Sequence, residues 1–275
     1  MTFSPRELDA LLVEHGLDPS RALGQNFVAD ANTVRRIARL AGVGPGDHVL
    51  EIGAGLGSLT LALAETGAQV TAVEVDRHLE PVLRSVVEPE GVTVVLGDAM
   101  ALDWSALLGT DQRWSLVANL PYNVATPLVL DLLDQVPVIA ELLVMVQLEV
   151  AERLAATPGG RAWGLPSLKV RYWADAQVVG KVPASVFIPR PKVESALVRI
   201  VRLDRPAVEG DPGPLFALAR QAFSQRRKML RRSLAGRVDA EAFAAADVRP
   251  DARPEELDLA AWARLRDAVG AAGHS

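Results

Sequence analysis

The chain has no cysteine among its 275 residues, which excludes disulfides and thiolate metal sites. Histidine is scarce. His15, His48, His78 and His274 are scattered without ligand spacing, which argues against a zinc centre or any other metal. Apolar runs long enough to span a bilayer are missing. The opening Met-Thr-Phe-Ser-Pro-Arg-Glu lacks the apolar core of a signal peptide. The expectation is a soluble, cytoplasmic protein with no membrane partner. There is no internal repeat and no low-complexity tract. A hydrophobic content of 49% is enough for a sizeable core, in one large domain or one domain plus a small second one.

Positive charge is short overall, with a formal net charge of -5, but it is unevenly spread. From Arg161 to Arg237 there are 16 Lys+Arg against 5 Asp+Glu, and the rest of the chain is strongly acidic. A basic segment on an acidic body is the electrostatic footprint of a nucleic-acid face; the bland reading is a set of solvated surface arginines.

The most informative stretch runs from Val49 to Thr60. Val49 to Ile52 reads as a buried strand, Gly53, Gly55 and Gly57 turn the chain, and a helix follows with Ser58 as its expected cap. Strand, glycine turn and helix begin an open α/β sheet that binds nucleotides. Glycine suits the turn because it tolerates positive φ and lets a ligand approach the backbone. The spacing G-x-G-x-G is not that of an NAD oxidoreductase, and no phosphate-binding Lys follows. With Glu51 just ahead, the pattern suits S-adenosylmethionine; a structural turn with no ligand is the alternative.

Around it the chain reads in order. Ser4-Pro5-Arg6-Glu7 starts a helix through a capping box, and His15-Gly16 ends it. Leu23 to Val28 is a loop into a second helix capped by Asp30. Its Gln-Asn-Phe run is either cap chemistry or polar contact to a ligand. Val70 to Val75 is the second strand, and Glu74 lies 21 residues after Gly53, near the offset at which an acid binds a ribose diol. Val92 to Leu96 is the third strand, with Asp98 at its end able to accept from an adenine amine. Trp114 to Ala118 is the fourth, delivering Asn119-Leu120-Pro121-Tyr122-Asn123 to the same carboxyl edge. Pro121 holds Leu120 extended. The Asn119 amide oxygen and the Leu120 carbonyl are then two acceptors for one exocyclic NH2, and Tyr122 is a flat surface for a base.

Farther on, Leu142 to Gln147 reads as a fifth strand and Glu149 to Ala156 as helix. Leu168 to Trp173 and Gln177 to Val182 look strand-like. Phe187 to Ser195 is a Pro-punctuated loop with an exposed aromatic and two cations, and Ala196 to Val201 is a last strand. Arg205 to Pro214 reads as a linker. Ala222 to Leu234 has an apolar side (Phe223, Met229, Leu230, Leu234) and a dense basic side. Asp258 to Val269 is a final helix.

These stretches together resemble the ribosomal RNA adenine N6,N6-dimethyltransferase family, above all the branch acting on two adjacent adenines near the 3′ end of small-subunit (16S) rRNA. The resemblance is carried by Leu23 to Phe27, Glu51 to Gly57, Glu74, Gly97-Asp98, Asn119 to Asn123, Phe187 to Ser195 and Ala222 to Leu234. It implies an α/β, Rossmann-like S-adenosylmethionine-dependent methyltransferase domain over residues 1–205 and a small C-terminal helical domain over 206–275. It implies cofactor contacts from Asn26, Val28, Gly53, Glu74, Asp98 and Asn119. Asn119, Leu120, Pro121, Tyr122 and Phe187 would act on the target base, with Tyr122 and Phe187 stacking on it. Arg190, Lys192, Arg226, Arg227, Lys228, Arg231 and Arg232 would hold RNA phosphates. The partner implied is 16S rRNA within the immature small ribosomal subunit, approached by a monomer. Val28 stands where Leu is more usual and Ala125 where Ser is common, and the acidic body is less usual for such proteins. The rival readings are a large-subunit rRNA adenine methyltransferase of the macrolide-resistance type and a non-catalytic ribosome assembly factor.

Overall fold

The structure is a computed structural model that describes residues 2–20 and 22–272; His274 lies outside them. The chain divides into two compact units, residues 1–151 with 177–202, and residues 152–176 with 203–275. The expected boundary at residue 205 therefore misses one segment, 152–176, which belongs with the C-terminal helices.

The first unit is built on a seven-stranded sheet. Its strands are β2 (His48–Ile52), β3 (Gln69–Glu74), β4 (Thr93–Leu96), β5 (Trp114–Asn119), β6 (Ile139–Gln147), β7 (Ala174–Val182) and β9 (Ser195–Arg202), and they lie in the order β4-β3-β2-β5-β6-β9-β7. Strands β2 to β6 run parallel and β9 returns antiparallel to β6. The two remaining strands, β1 (Phe27–Val28) and β8 (Phe187–Ile188), pair antiparallel as a separate two-stranded ribbon. Strand order reverses at β2, which has β3 on one side and β5 on the other, so a crevice opens at the carboxyl ends of these strands.

Helices α1 (Pro5–Glu14), α2 (Ala31–Ala41), α3 (Ser58–Ala64), α4 (Glu80–Val87), α5 (Trp104–Leu108) and α6 (Ala125–Gln135) complete this unit, and α7 (Leu148–Leu154) leaves it. The α1 capping box forms as read, with Ser4 and Glu7 exchanging bonds, and Asp30 caps α2 through Thr33. Helix α3 departs from expectation. Its cap residue is Gly57, and Ser58 is already helical, with its buried hydroxyl unpartnered. Gly57 sits at φ +88°, where a Cβ would lie 2.7 Å from Val87 of α4. That helix start is glycine because the helices pack closely there, as well as for its dihedral.

Arg202, the last residue of β9, closes α6. Its guanidinium donates to the carbonyls of Leu132, Leu133, Val136 and Ile139 at 2.9–3.2 Å. These include carbonyls of the last turn of α6, where intrahelical donors run out; that of Leu132 also accepts from the Val136 N–H. Burial holds the Arg202 pKa below its usual value, opposed by the Asp134 carboxylate.

In the second unit, Leu165–Trp173 forms a helix, α8, where a strand was expected over 168–173. Leu168 to Trp173 alternates apolar and basic residues over too few positions to separate a period of 2 from one of 3.6. Leu168 and Tyr172, four residues apart, bury their side chains together with Trp163, Leu215 and Phe216 in this unit's own core. The stretch read as a linker is likewise tied in: the Tyr172 hydroxyl donates to the Gly210 carbonyl and the Ala207 N–H to the Tyr172 carbonyl. Then come α9 (Pro212–Ser224), α10 (Leu230–Ser233), α11 (Ala240–Ala245) and α12 (Leu259–Ala272). Among the described residues no helix is long and apolar enough to cross a membrane.

Replacing Arg202 by Met keeps the aliphatic stem and removes the guanidinium donors from the end of α6. The expected loss is ~2–4 kcal/mol of unfolding free energy, measured by urea denaturation.

Candidate active site

The crevice at the switch point is a cavity, and one set of residues converges on it. Asn26, Gly53, Glu74, Asp98, Asn119, Leu120, Pro121 and Tyr122 all line it, from five separate stretches of the chain. Two predicted site residues do not. Val28 is 5% exposed and Phe187 3%, and both sit in the core cluster with Val34 and Ile37. The expectation of an exposed Phe187 is therefore corrected; the Val28 side chain lies in the same core. Phe187 pairs with Val28 across the β1–β8 ribbon, and that pairing turns both side chains into the interior.

The glycine turn is fastened from below by Glu74. Its carboxylate, 5% exposed, accepts from the backbone N–H of Gly55 (2.8 Å), Val75 (2.9 Å) and Asp76 (3.0 Å). Burial raises its pKa, and the three backbone bonds oppose that rise without cancelling it. Gly55 packs so closely that a Cβ there would lie 2.9 Å from the Phe27 ring. Its φ of +60° is the positive value read from the sequence, and the protein's own aromatic adds a second demand for glycine.

A strap, Leu23–Phe27, crosses the cavity and is pinned on both sides. The Gln25 side-chain amide donates to Asp76 at 2.8 Å, and the Asn26 carbonyl accepts from Asn119 Nδ2 at 2.9 Å. The second bond fixes the orientation of the Asn119 amide. With the nitrogen committed to Asn26, Oδ1 is the end left to accept. Leu120 is held in turn, its N–H donating to the Met145 carbonyl of β6 at 3.1 Å. Tyr122 is half-buried and lines the cavity; burial raises its pKa, with its Ser195 bond opposing.

Sequence reasoning did not single out Val75 and Met100, two exposed apolar residues at the cavity rim. They follow Glu74 by one residue and Asp98 by two, so an apolar residue just after each strand-end acid was the available signal. Asp76, which pins the strap, carried no signal at all. Among the described residues no group of three His, Asp or Glu side chains is arranged to hold a metal ion.

The expected cations fall out unequally. Arg190 and Lys192 are exposed in the first unit. In the second, α9 ends at Ser224 and α10 begins at Leu230, so the basic run straddles a turn and is not one amphipathic helix. Arg227, Lys228, Arg231 and Arg232 are exposed there, and Met229, expected on an apolar side, is 40% exposed among them. Arg226 is different. It is half-buried, donates to the Arg161 carbonyl at 2.7 Å and faces Glu255 at 3.6 Å, so it serves the fold of its own unit.

The fold and this cavity define a Rossmann-like methyltransferase that uses S-adenosylmethionine. The chain belongs to the ribosomal RNA adenine dimethylase family, whose sequence model matches residues 18–269. It is 46% identical to the ribosomal RNA small subunit methyltransferase A of Cutibacterium acnes, over 98% of this chain and 95% of the relative. It is also 46% identical to the protein of the same name from Rhodococcus opacus, over 95% and 92%. Among solved structures it resembles the 23S rRNA methyltransferase ErmE (TM-score 0.69, 26% identity, 89% of this chain and 100% of that one). A dimethyladenosine transferase from Plasmodium falciparum shares the fold (TM-score 0.73, 23% identity, 86% and 94%).

One more buried acid stands behind the turn. Glu51 is 1% exposed, and burial pushes its carboxyl up to about 8, with Thr60 opposing and the Glu74 charge adding to the rise. The folded chain keeps this proton far above the ordinary value of 4.5, whereas the unfolded chain gives it up near there. Stability from this group is complete below the unfolded value and is lost as pH rises through the folded one. Glu51→Gln removes the titration. The variant should gain on the wild type by about 1–4 kcal/mol between about pH 5 and about pH 8, read by urea denaturation at both ends.

Proposed function

We propose that this protein transfers methyl groups to N6 of two adjacent adenines near the 3′ end of 16S rRNA, in an immature small ribosomal subunit. The observation that carries the reading is the Asn119 amide, turned by the Asn26 carbonyl so that Oδ1 accepts at the cavity beside Leu120 and Tyr122. The names of the relatives from Cutibacterium acnes and Rhodococcus opacus support the small subunit as the target.

The cavity suits S-adenosylmethionine. Buried Glu74 is an acceptor for a ribose diol, and Asp98 at the rim has one carboxylate oxygen on the Met100 N–H and a second to offer an adenine amine. Val75 and Met100 give apolar surface between them. When bound, the cofactor supplies a methyl activated by a sulfonium, which is its own leaving group.

The protein's part is positioning. An unpaired or flipped-out adenine carries an N6 lone pair delocalised into its ring and is a poor nucleophile. Accepting both N6 hydrogens, at Asn119 Oδ1 and the Leu120 carbonyl, favours a pyramidal nitrogen with its lone pair directed at the methyl. Tyr122 stacks on the base, a contact of ~1–3 kcal/mol. Phe187, in the core, is left out of this account. Phosphates are held by Arg190 and Lys192 in one unit and by Arg227, Lys228, Arg231 and Arg232 in the other, which positions RNA without reading its sequence.

The test is tritiated methyl transfer to immature small subunits, with mapping of the modified bases; label on naked 23S rRNA instead would favour the macrolide-resistance type. Asn119→Ala should bind S-adenosylmethionine in a calorimeter and lose roughly 100-fold in kcat. Changing Arg227, Lys228 and Arg231 together to Gln should flatten the slope of log affinity against log salt by about 2 for single-stranded RNA. An unchanged slope would put the phosphate contacts elsewhere.

A further inference from the structure

Tyr122 is a loop residue, yet its ring is fastened at the far end. Its hydroxyl lies 2.6 Å from Ser195 Oγ, a bond that spans 73 residues of sequence. Ser195 is 0% exposed and opens β9, where its backbone is paired with Gln147 of β6. One residue earlier, the ladder continues through Leu148 N–H to the Glu194 carbonyl at 3.0 Å. The backbone that carries the Ser195 hydroxyl is thus fixed by the sheet, in contrast to the loop it reaches.

The same pair of strands holds the other end of the motif. Leu120 donates its N–H to Met145 of β6, and Met145 is paired with Leu197 of β9, two residues on from Ser195. Between these anchors Pro121 restricts the backbone, and its carbonyl accepts from Val124 and Ala125 as α6 begins. The Leu120–Tyr122 segment is stretched between two fixed points on the sheet. A tyrosine whose backbone and hydroxyl are both held has χ1 set and the tip of its ring fixed; χ2 turns about an axis that runs through the hydroxyl.

From this we infer that Ser195 is a positioning residue for methyl transfer: through the Tyr122 hydroxyl it anchors the tip of the ring and sets χ1, which fixes where the ring lies along the cavity wall for the target purine. The inference rests on the proposed reading of the site, in which Tyr122 meets the base. A serine that merely satisfied a half-buried phenol would matter to stability and leave turnover alone. A serine that sets where the ring lies matters to turnover, and only while the phenol is there to receive it.

A double-mutant cycle separates these roles. Ser195→Ala should lower kcat roughly 3- to 10-fold with S-adenosylmethionine affinity unchanged by calorimetry, a loss of the size expected for one hydrogen bond. Tyr122→Phe keeps the ring, loses only the hydroxyl, and should show the same loss. The double variant should be no worse than either single one. The chain has two tyrosines, so 3-fluorotyrosine labelling gives two resonances. Ser195→Ala should shift the Tyr122 signal and leave that of Tyr172 in place. Wild-type kcat in Ser195→Ala, or equal losses multiplying in the double variant, overturns the inference. Should Ser195→Ala not fold, Tyr122→Phe decides alone, since an undiminished kcat there leaves the bond without a catalytic consequence. A wild-type protein that fails to methylate small subunits would instead strike the proposed function, whatever the variants do.

Discussion

A carboxylate buried against backbone amides governs the geometry of this molecule. Glu74 sits at the carboxyl end of a central strand and accepts from three N–H groups on two loops, one of them the glycine turn. Removing a carboxylate from water is costly, and these bonds are what make the position tenable. They also join the turn after β2 to the loop after β3, so the two loops that frame the crevice cannot move independently. Asp76, in that second loop, then pins the strap through Gln25, and the strap turns Asn119 through Asn26. A chain of hydrogen bonds runs from Glu74 on one side of the cavity to Asn119 on the other.

The Asn119–Asn123 loop depends on the sheet in a second way. Open parallel sheets deliver loops to one edge, but a loop is positioned only as well as its neighbours hold it. Here the antiparallel return of β9 beside β6 brings Ser195 under Tyr122, while β6 itself takes the Leu120 N–H. The Pro-punctuated segment before β9 thus contributes to the site through its last residue, and its aromatic goes to the core.

Charge is divided between tasks. The net charge of -5 describes the surface as a whole and says nothing about where RNA would bind. Exposed Arg227, Lys228, Arg231 and Arg232 crowd a turn and a short helix, whereas Arg202 and Arg226 spend their donors on carbonyls of their own units. Counting cations by segment locates a basic stretch. It cannot tell a phosphate ligand from a helix cap, because the difference lies in which carbonyls happen to be within reach.

By itself the sequence determined whatever is local. The strand, glycine turn and helix around Gly53 to Gly57, the caps at Ser4 and Asp30, and the acids at strand ends depend on residues a few positions apart. So does the basic run. Tertiary structure decided the rest. It made Leu165–Trp173 a helix, because a short run acquires its period from the core it meets. It buried Phe187 and Val28 by pairing two-residue strands too short to leave a pattern. It joined Asn26 to Asn119 and Tyr122 to Ser195, contacts spanning 93 and 73 residues, which exist only once strand order and register are set. Hydrogen bonds of that reach have no signature in residue spacing, since the sheet, and not the chain, brings their partners together.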